Sequence, residues 1–515
     1  MANYAADQAS LGQAHAAIGG WRISPLELPH PDGAAGRALV LGGACPPMLY
    51  PAATVEPGEP ADLVVLAPTT RECRAPGWLA SAADAAAQSL ADDGLVYVLA
   101  PRRARPRIRR LLRERGLLLG PSMAHFPNWS PPRHQVIVPL EMEPARFAFA
   151  NLIALSPLRR RLARAACRLS IGRYLLARLL PGAAIVARRP GARPLFGWLG
   201  DPNAAPEPGS AIISARQYGA DGTVVLHPFE PGASRPSAIF KQALTASMAA
   251  GRRAEADLLR RLGLAAAQAG ARVPQAALVE TRAGHLALRQ TVVSGRSAAT
   301  WLATHPSEVA ALAERVADWV ISWNAATARR APLDPALLQV AVLAPAQRLA
   351  PHLGDAPAYL DWLQRRCVAA AGAIAPLVAT HNDLTMWNIL LDGDAPLGVI
   401  DWELARDADL PLSDLCYALA DAVAAASGYR DRPAAFESCF LPGGDQAPLV
   451  GRLLRRAAAR LALAPEVATL CLHATWLRHA ANEAGKKLPG EAHPMLAVVR
   501  TLAQRRFDLE RQVAE

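Results

Sequence analysis

His381-Asn382-Asp383-Leu384-Thr385-Met386-Trp387-Asn388 and, shortly after it, Val399-Ile400-Asp401-Trp402-Glu403 decide how this chain of 515 residues is read. A carboxylate, Asp383, stands five residues before a carboxamide, Asn388, and a second carboxylate, Asp401, follows thirteen residues later. Phosphoryl transfer needs these groups. One carboxylate orients the attacking hydroxyl and accepts its proton, while an Asn and a further Asp hold Mg²⁺ on the phosphates. Apolar residues anchor the polar ones: Leu384 and Ile389-Leu390-Leu391 flank the loop, and Asp392-Gly393-Asp394 reads as a hairpin turn. Leu397 to Ile400 then reads as a buried strand with Asp401 at its end. A solvated loop with acidic caps is the plain alternative, and it leaves an Asp at the end of an apolar strand unexplained.

The spacing from Asp383 to Asn388 resembles the protein-kinase pattern H-R-D-x-x-x-x-N, with Asn382 in place of Arg and Asp-Trp-Glu in place of Asp-Phe-Gly. It is more similar to the aminoglycoside phosphotransferase and choline kinase-like family, whose loop typically reads His-Gly-Asp and whose metal strand typically reads Ile-Asp-Trp/Phe-Glu. The resemblance covers about residues 208–515. It implies an α+β, two-lobed protein kinase-like domain, with an N-lobe at about 208–293 and a C-lobe at about 294–515. In that frame Asp383 is the catalytic base and His381 braces the loop. Asn388 and Asp401 bind Mg²⁺, and Asp414 braces the catalytic loop or caps a helix.

Lysine occurs only at 241, 486 and 487. Lys241 lies in Ser237–Leu244, a short apolar strand, where an ammonium needs a partner. A nucleotide site uses such a Lys as a compact charge on the phosphates, fixed by a Glu on the next helix. The helical segment 249–262 offers Glu255, with Asp257 as the rival two positions away on another face. An exposed edge-strand Lys is the plainer reading. Upstream, two β-rich runs flank Gly219-Ala220-Asp221-Gly222 and predict a hairpin. Gly219 and Gly222 would let its backbone approach phosphates, although a bare hairpin turn explains them equally. Strands at 275–280 and 285–293, a hinge at 290–296 and a helix over 307–328 with Trp319, Trp323 and Asn324 complete the order.

Residues 1 to about 195 read differently. Ala38–Gly43, Ala61–Ala67 and Leu95–Ala100 are strands, 79–90 an amphipathic helix and 106–115 a basic helix with Pro in its first turn. Alternating strands and helices predict an α/β, Rossmann-like module with a parallel sheet. Asp62 to Pro101 resembles the second half of class I S-adenosylmethionine methyltransferases. The loop Gly42-Gly43-Ala44-Cys45-Pro46-Pro47 departs from that family's Gly-rich loop, and the passage to Asp62 is too short for its usual elements. The module is therefore read as degenerate and non-catalytic. A Pro/Gly-rich linker at 190–208 closes it, giving domains 1–195 and 196–515.

A hydrophobic content of 52 % suits two or more cored domains. Seven scattered cysteines without C-x-x-C predict reduced thiols and no structural zinc; with no apparent leader or membrane span, a cytoplasmic location is expected. The net charge of +11 permits nucleic-acid association, yet no helix-turn-helix, zinc or RNP pattern is present, so no specific nucleic-acid partner is expected. Arginines punctuate the apolar run 147–180, and such a basic amphipathic helix can lie weakly on an anionic membrane surface or simply present a solvated Arg face.

The expected function is ATP- and Mg²⁺-dependent transfer of the γ-phosphoryl group to a hydroxyl of a small molecule: a sugar, an amino alcohol or a related metabolite. Over 441–515, eleven Lys/Arg against seven Asp/Glu lean away from a polycationic acceptor. Two other readings stay open: a nucleotide-binding pseudokinase or scaffold, and a bifunctional methyltransferase-kinase acting on a glycan.

Overall fold

The computed structural model describes residues 26, 28–30, 32, 35–45, 54–126, 134–153, 157–180, 182–199, 210–218, 221–243, 245–280, 286–486 and 493–509. The chain divides into two compact units, Met1–Arg253 with Ala276–Val292, and Ala254–Gln275 with Val293–Glu515.

The first unit is built on a sheet of twelve strands among the described residues. β1 (Ala38–Leu41), β2 (Ala61–Leu66) and β3 (Leu90–Val98) run parallel, with α1 (Trp78–Ser89) connecting β2 to β3. Val64, Leu66, Val96 and Val98 face α1 and α2 (Arg105–Glu114), while Leu63, Val65, Leu95 and Tyr97 face a second core. Burial on both faces is why 63–66 and 95–98 read as continuous apolar runs. The predicted strand at 95–100 begins earlier, at Leu90, with a register shift opposite Ala61 and Leu63. Gly42 carries φ 96°, and a Cβ there would lie 2.5 Å from the Ala67 carbonyl oxygen, so this glycine serves a tight turn.

The expectation of a parallel sheet holds only for β1 to β3. From β3 onward every pairing is antiparallel: β7 (Ala183–Arg188), β5 (Met123–Phe126), β6 (His134–Pro139), β8 (Ser210–Tyr218), β9 (Asp221–Phe229), β10 (Ile239–Gln242), β12 (Leu286–Gln290) and β11 (Ala276–Glu280), in that spatial order, with β4 (Leu118–Leu119) against β7. Hairpin links as short as that between β8 and β9 cannot make a parallel crossover. β6 pairs with β8 from His134↔Arg216 to Ile137↔Ile213, so one sheet passes across the linker expected at 190–208. The core does the same, from Val40 and Leu63 through Ile137 and Ile213 to Phe240 and Ala287. Pairing of two edges that would otherwise face solvent supplies the reason. The outer layer includes α3 (Met142–Asn151), α4 (Pro157–Arg168) and α5 (Ser170–Leu179).

The helix α6 (Ala246–Gln268) leads from the first unit into the second. The second unit holds two small sheets: β13 (Arg296–Ser297), β16 (Ile389–Leu391) and β17 (Gly398–Val399), and β14 (Arg329–Pro332), β15 (Ile374–Thr380) and β18 (Arg406–Asp409). Helices pack around them, chiefly α7 (Val309–Thr327), α8 (Ala356–Ala370), α9 (Ser413–Ala426), α10 (Arg432–Phe440), α11 (Ala447–Leu461), α12 (Pro465–Lys486) and α13 (Pro494–Gln504). Among the described residues no helix is long and apolar enough to cross a membrane. All seven cysteines are free.

Candidate active site

The 381–403 residues gather around two strand ends of the second unit. β16 and β17 pair with Ile389 opposite Val399, and the next rung is Ile400 N donating to Asn388 O at 3.0 Å. That register brings Asn388 beside Asp401. The Asn388 amide nitrogen donates to the Asp383 carbonyl at 2.9 Å and to Asp383 Oδ2 at 3.2 Å. His381 ties the loop to the strand: its Nε2 lies 2.8 Å from Ile400 O, and its Nδ1 lies 3.3 Å from Asp383 N. A carbonyl only accepts, so Nε2 carries the proton and Nδ1 accepts from Asp383 N–H. The side chains of Asp383 and Asn388 therefore meet, and the ladder and one imidazole bring the strand end that carries Asp401 to the same loop.

Beneath the loop the support is buried. His381 N and Asn382 N both donate to the Asp414 carboxylate, at 2.7 and 2.8 Å. Asp414 is in the first turn of α9, so of its two expected parts it takes the bracing one. Burial pushes its carboxyl above the ordinary range, against the two N–H donors of His381 and Asn382. Trp402 is buried, donates to Val399 O at 3.0 Å and packs edge-on to His381 and to Trp323. Trp323, on α7, donates to Ala379 O at 2.9 Å and so fixes the end of β15.

Asn382 holds φ 62° and Asp401 φ 67°. Asn tolerates the left-handed region because its short amide can bond locally. Here that amide reaches Thr380 Oγ1 at 2.8 Å and takes a guanidinium donor from Arg478, which also pairs with the buried Asp409 at 2.8 Å. Local spacing gives no sign of Arg478 or Asp409. Asp421 was likewise missed: its Oδ2 accepts from Met386 N at 2.6 Å and from the Tyr429 hydroxyl at 2.9 Å.

The remaining predicted residues are divided between the two units. Lys241 belongs to the first unit, opposite Val225 of β9 and Leu288 of β12, and is buried. Its strand is flanked on both sides, which removes the edge-strand reading. Glu255 belongs to the second unit and is buried, whereas its rival Asp257 is exposed and pairs with Arg260 at 3.0 Å. Glu255 and Leu258 line an open cleft with Trp402, Glu403 and Arg406. Gly222 sits within β9 opposite Gln217, and Gly219 lies outside the described residues.

Asn388 and Asp401, brought near each other along the β16–β17 ladder, carry hard oxygen atoms, the donor type Mg²⁺ takes when phosphates and water complete its shell. With its amide nitrogen committed to Asp383, Asn388 has its oxygen left for that purpose.

Residues 229–440 match the family model described as Phosphotransferase enzyme family (APH). The matched segment contains Lys241, Glu255, Asp383, Asn388 and Asp401. No curated protein matches the chain. Similar solved structures include the aminoglycoside phosphotransferase APH(3'')-Id from Streptomyces rimosus ATCC10970 in complex with ADP and streptomycin, at 20 % identity over 49 % of this chain and 90 % of that one, TM-score 0.32. ADP-bound APH(2'')-Ib shows 13 % identity over 57 % and 91 %, TM-score 0.31. The streptomycin-ATP-APH(2")-IIa ternary complex shows 12 % identity over 57 % and 93 %, TM-score 0.32.

Proposed function

We propose that the chain is an ATP- and Mg²⁺-dependent phosphotransferase acting on a hydroxyl of a small molecule, such as a sugar or an amino alcohol. The observation that carries this reading is the convergence of Asp383, Asn388 and Asp401 through the β16–β17 ladder and His381. The acceptor oxygen attacks the γ-phosphorus and the bond to the β,γ-bridging oxygen breaks. ADP leaves, and the hydroxyl proton passes to the Asp383 carboxylate. Mg²⁺ held by Asn388 and Asp401 would neutralise charge on the phosphates. Asp383 is oriented by its bond from Asn388, so that the nucleophile is positioned before reaction. Lys241 would hold the α/β-phosphates, oriented by Glu255, with the Gly219–Gly222 hairpin over them.

Asp383→Ala and Asp401→Ala separate these roles. Asp383→Ala is expected to lower turnover by about 10²–10⁴-fold while ATP still binds in the presence of Mg²⁺. Asp401→Ala is expected to remove the Mg²⁺-dependent part of ATP affinity, read by calorimetric titration with and without the metal. Near-wild-type turnover in either variant would sink the assignment.

The first unit is proposed to be a non-catalytic Rossmann-like module that meets an anionic membrane surface. Leu162, Leu169, Ile171 and Leu175 of the α4–α5 region are exposed, as are Arg161 and Arg168. From 157 to 180 the sequence has no Asp or Glu. Apolar side chains among arginines in a stretch without Asp or Glu match such a surface in both hydrophobicity and charge. The free thiols support a cytoplasmic location.

A further inference from the structure

Trp387 stands inside the catalytic loop, between Asp383 and Asn388, and is 51 % exposed. It is the one exposed tryptophan among the described residues. An isolated exposed apolar side chain is ordinary. This one is held in place. Its ring lies nearly parallel to that of Tyr429, with centroids 6.2 Å apart and planes 17° apart. Tyr429 is pinned in turn: its backbone sits at φ 57°, unusual for a bulky residue, and its hydroxyl donates to Asp421 Oδ2 at 2.9 Å. The same oxygen accepts from Met386 N, one residue before Trp387, at 2.6 Å. A single buried carboxylate thereby fixes the ring pair to the loop that carries Asp383.

The chemistry around the pair narrows what can lie on it. Arg432 Cζ sits 4.8 Å from the Tyr429 ring centroid, and its Nη1 lies 3.1 Å from Asp421 Oδ1. The cation-binding face of Tyr429 is thus taken, and a quaternary ammonium or polyamine would meet a resident guanidinium. Both oxygens of Asp421 are engaged, so this carboxylate is not left to pair with a cationic acceptor.

We infer that Trp387, stacked on Tyr429, is the platform for the acceptor, and that the acceptor is an uncharged or anionic pyranose lying with its C–H face on the indole. This rests on the phosphotransferase reading above. The reaction requires a hydroxyl near Asp383, and the platform requires an apolar face a few ångströms from it. A sugar ring offers both on one rigid body, whereas choline, ethanolamine and glycerol do not. A rigid aromatic wall beside a few polar groups is also how small-molecule pockets set orientation at low entropic cost.

The test is ADP release by the full chain with ATP and Mg²⁺, in wild type, Trp387→Phe, Trp387→Ala and Asp383→Ala. Glucose, galactose, mannose and N-acetylglucosamine are compared with choline, ethanolamine and glycerol. Stimulation by a pyranose is expected. Trp387→Ala should raise its KM about tenfold or more, with kcat and the KM for ATP little changed, and Trp387→Phe should retain most of the affinity. Stimulation by an acyclic acceptor alone overturns the inference, as does an unchanged pyranose KM in Trp387→Ala or a rise in the KM for ATP instead. Wild-type turnover in Asp383→Ala, by contrast, overturns the phosphotransferase reading, and no release with any acceptor overturns both.

Discussion

Asn382, Asp401 and Leu412 hold φ values of 62°, 67° and 66°, and all three border the loop that carries Asp383. Such conformations cost of order 1–3 kcal/mol and persist where surrounding bonds over-determine them. Asp414 supplies two of those bonds. Asp414→Ala leaves the buried N–H groups of His381 and Asn382 without acceptors, an expected loss of about 2–5 kcal/mol in stability. Asp414→Asn keeps one carbonyl acceptor and removes a carboxylate that burial disfavours, so its loss should be smaller. Urea unfolding of both variants checks the order; equal or negligible losses would show that the carboxylate does not hold the loop. Asp383, Asn388 and Asp401 were legible in the sequence because their relation is local, two spacings and one short hairpin. Asp421, Asp409 and Arg478 were not. Arg478 lies 96 positions from Asn382 and Asp421 lies 35 from Met386, separations at which no periodicity survives.

Among the elements, strands buried on both faces were the easiest to read, since β2 and β3 carry the apolar runs Leu63–Leu66 and Leu95–Val98. Their partners were not. Alternation of strand and helix implied a parallel sheet, but the antiparallel addition of β7 depends on a strand about ninety residues further along. Lys241 illustrates both sides: its apolar strand was legible, and the neighbours that bury it, β9 and β12, are known only from the fold. The helices α4 and α5 show an arginine pattern whose meaning depends on exposure. With Leu162, Leu169 and Ile171 outward, the full chain is expected to co-sediment with vesicles containing about a third phosphatidylglycerol and not with pure phosphatidylcholine vesicles. Ile171→Asp with Leu175→Asp should release it. Equal sedimentation with both vesicle types, or retention by the double variant, would leave these helices as a solvated face.

At the scale of the molecule, three buried histidines, His125, His227 and His473, set an acid limit. Burial pushes His125 and His227 down to about 4 and His473 down to about 3. All are neutral near pH 7, folded or unfolded. As the pH falls below about 6.5 the unfolded chain takes up protons that the folded chain refuses, so stability is lost between about 6.5 and 4 for His125 and His227, by about 3 kcal/mol each when complete, and down to about 3 for His473. Asp414 and Asp421, raised by burial, act oppositely, losing stability as the pH rises above about 3.8. His227→Phe isolates the histidine contribution, since His227 Nδ1 is buried without a hydrogen-bond partner. The variant should show a shallower fall in Tm from pH 7 to 5 than wild type; an identical fall would remove His227 from this role.

The measurement that bears most directly on the proposed function is Mg²⁺-dependent ADP release by the 515-residue chain in the presence of hydroxyl acceptors, with Asp383→Ala alongside. Acceptor-stimulated release that disappears in the variant, while ATP binding persists, is the expected result. Release unaffected by the substitution, or ATP and Mg²⁺ binding with no transfer to any acceptor, would contradict a phosphotransferase built on Asp383, Asn388 and Asp401.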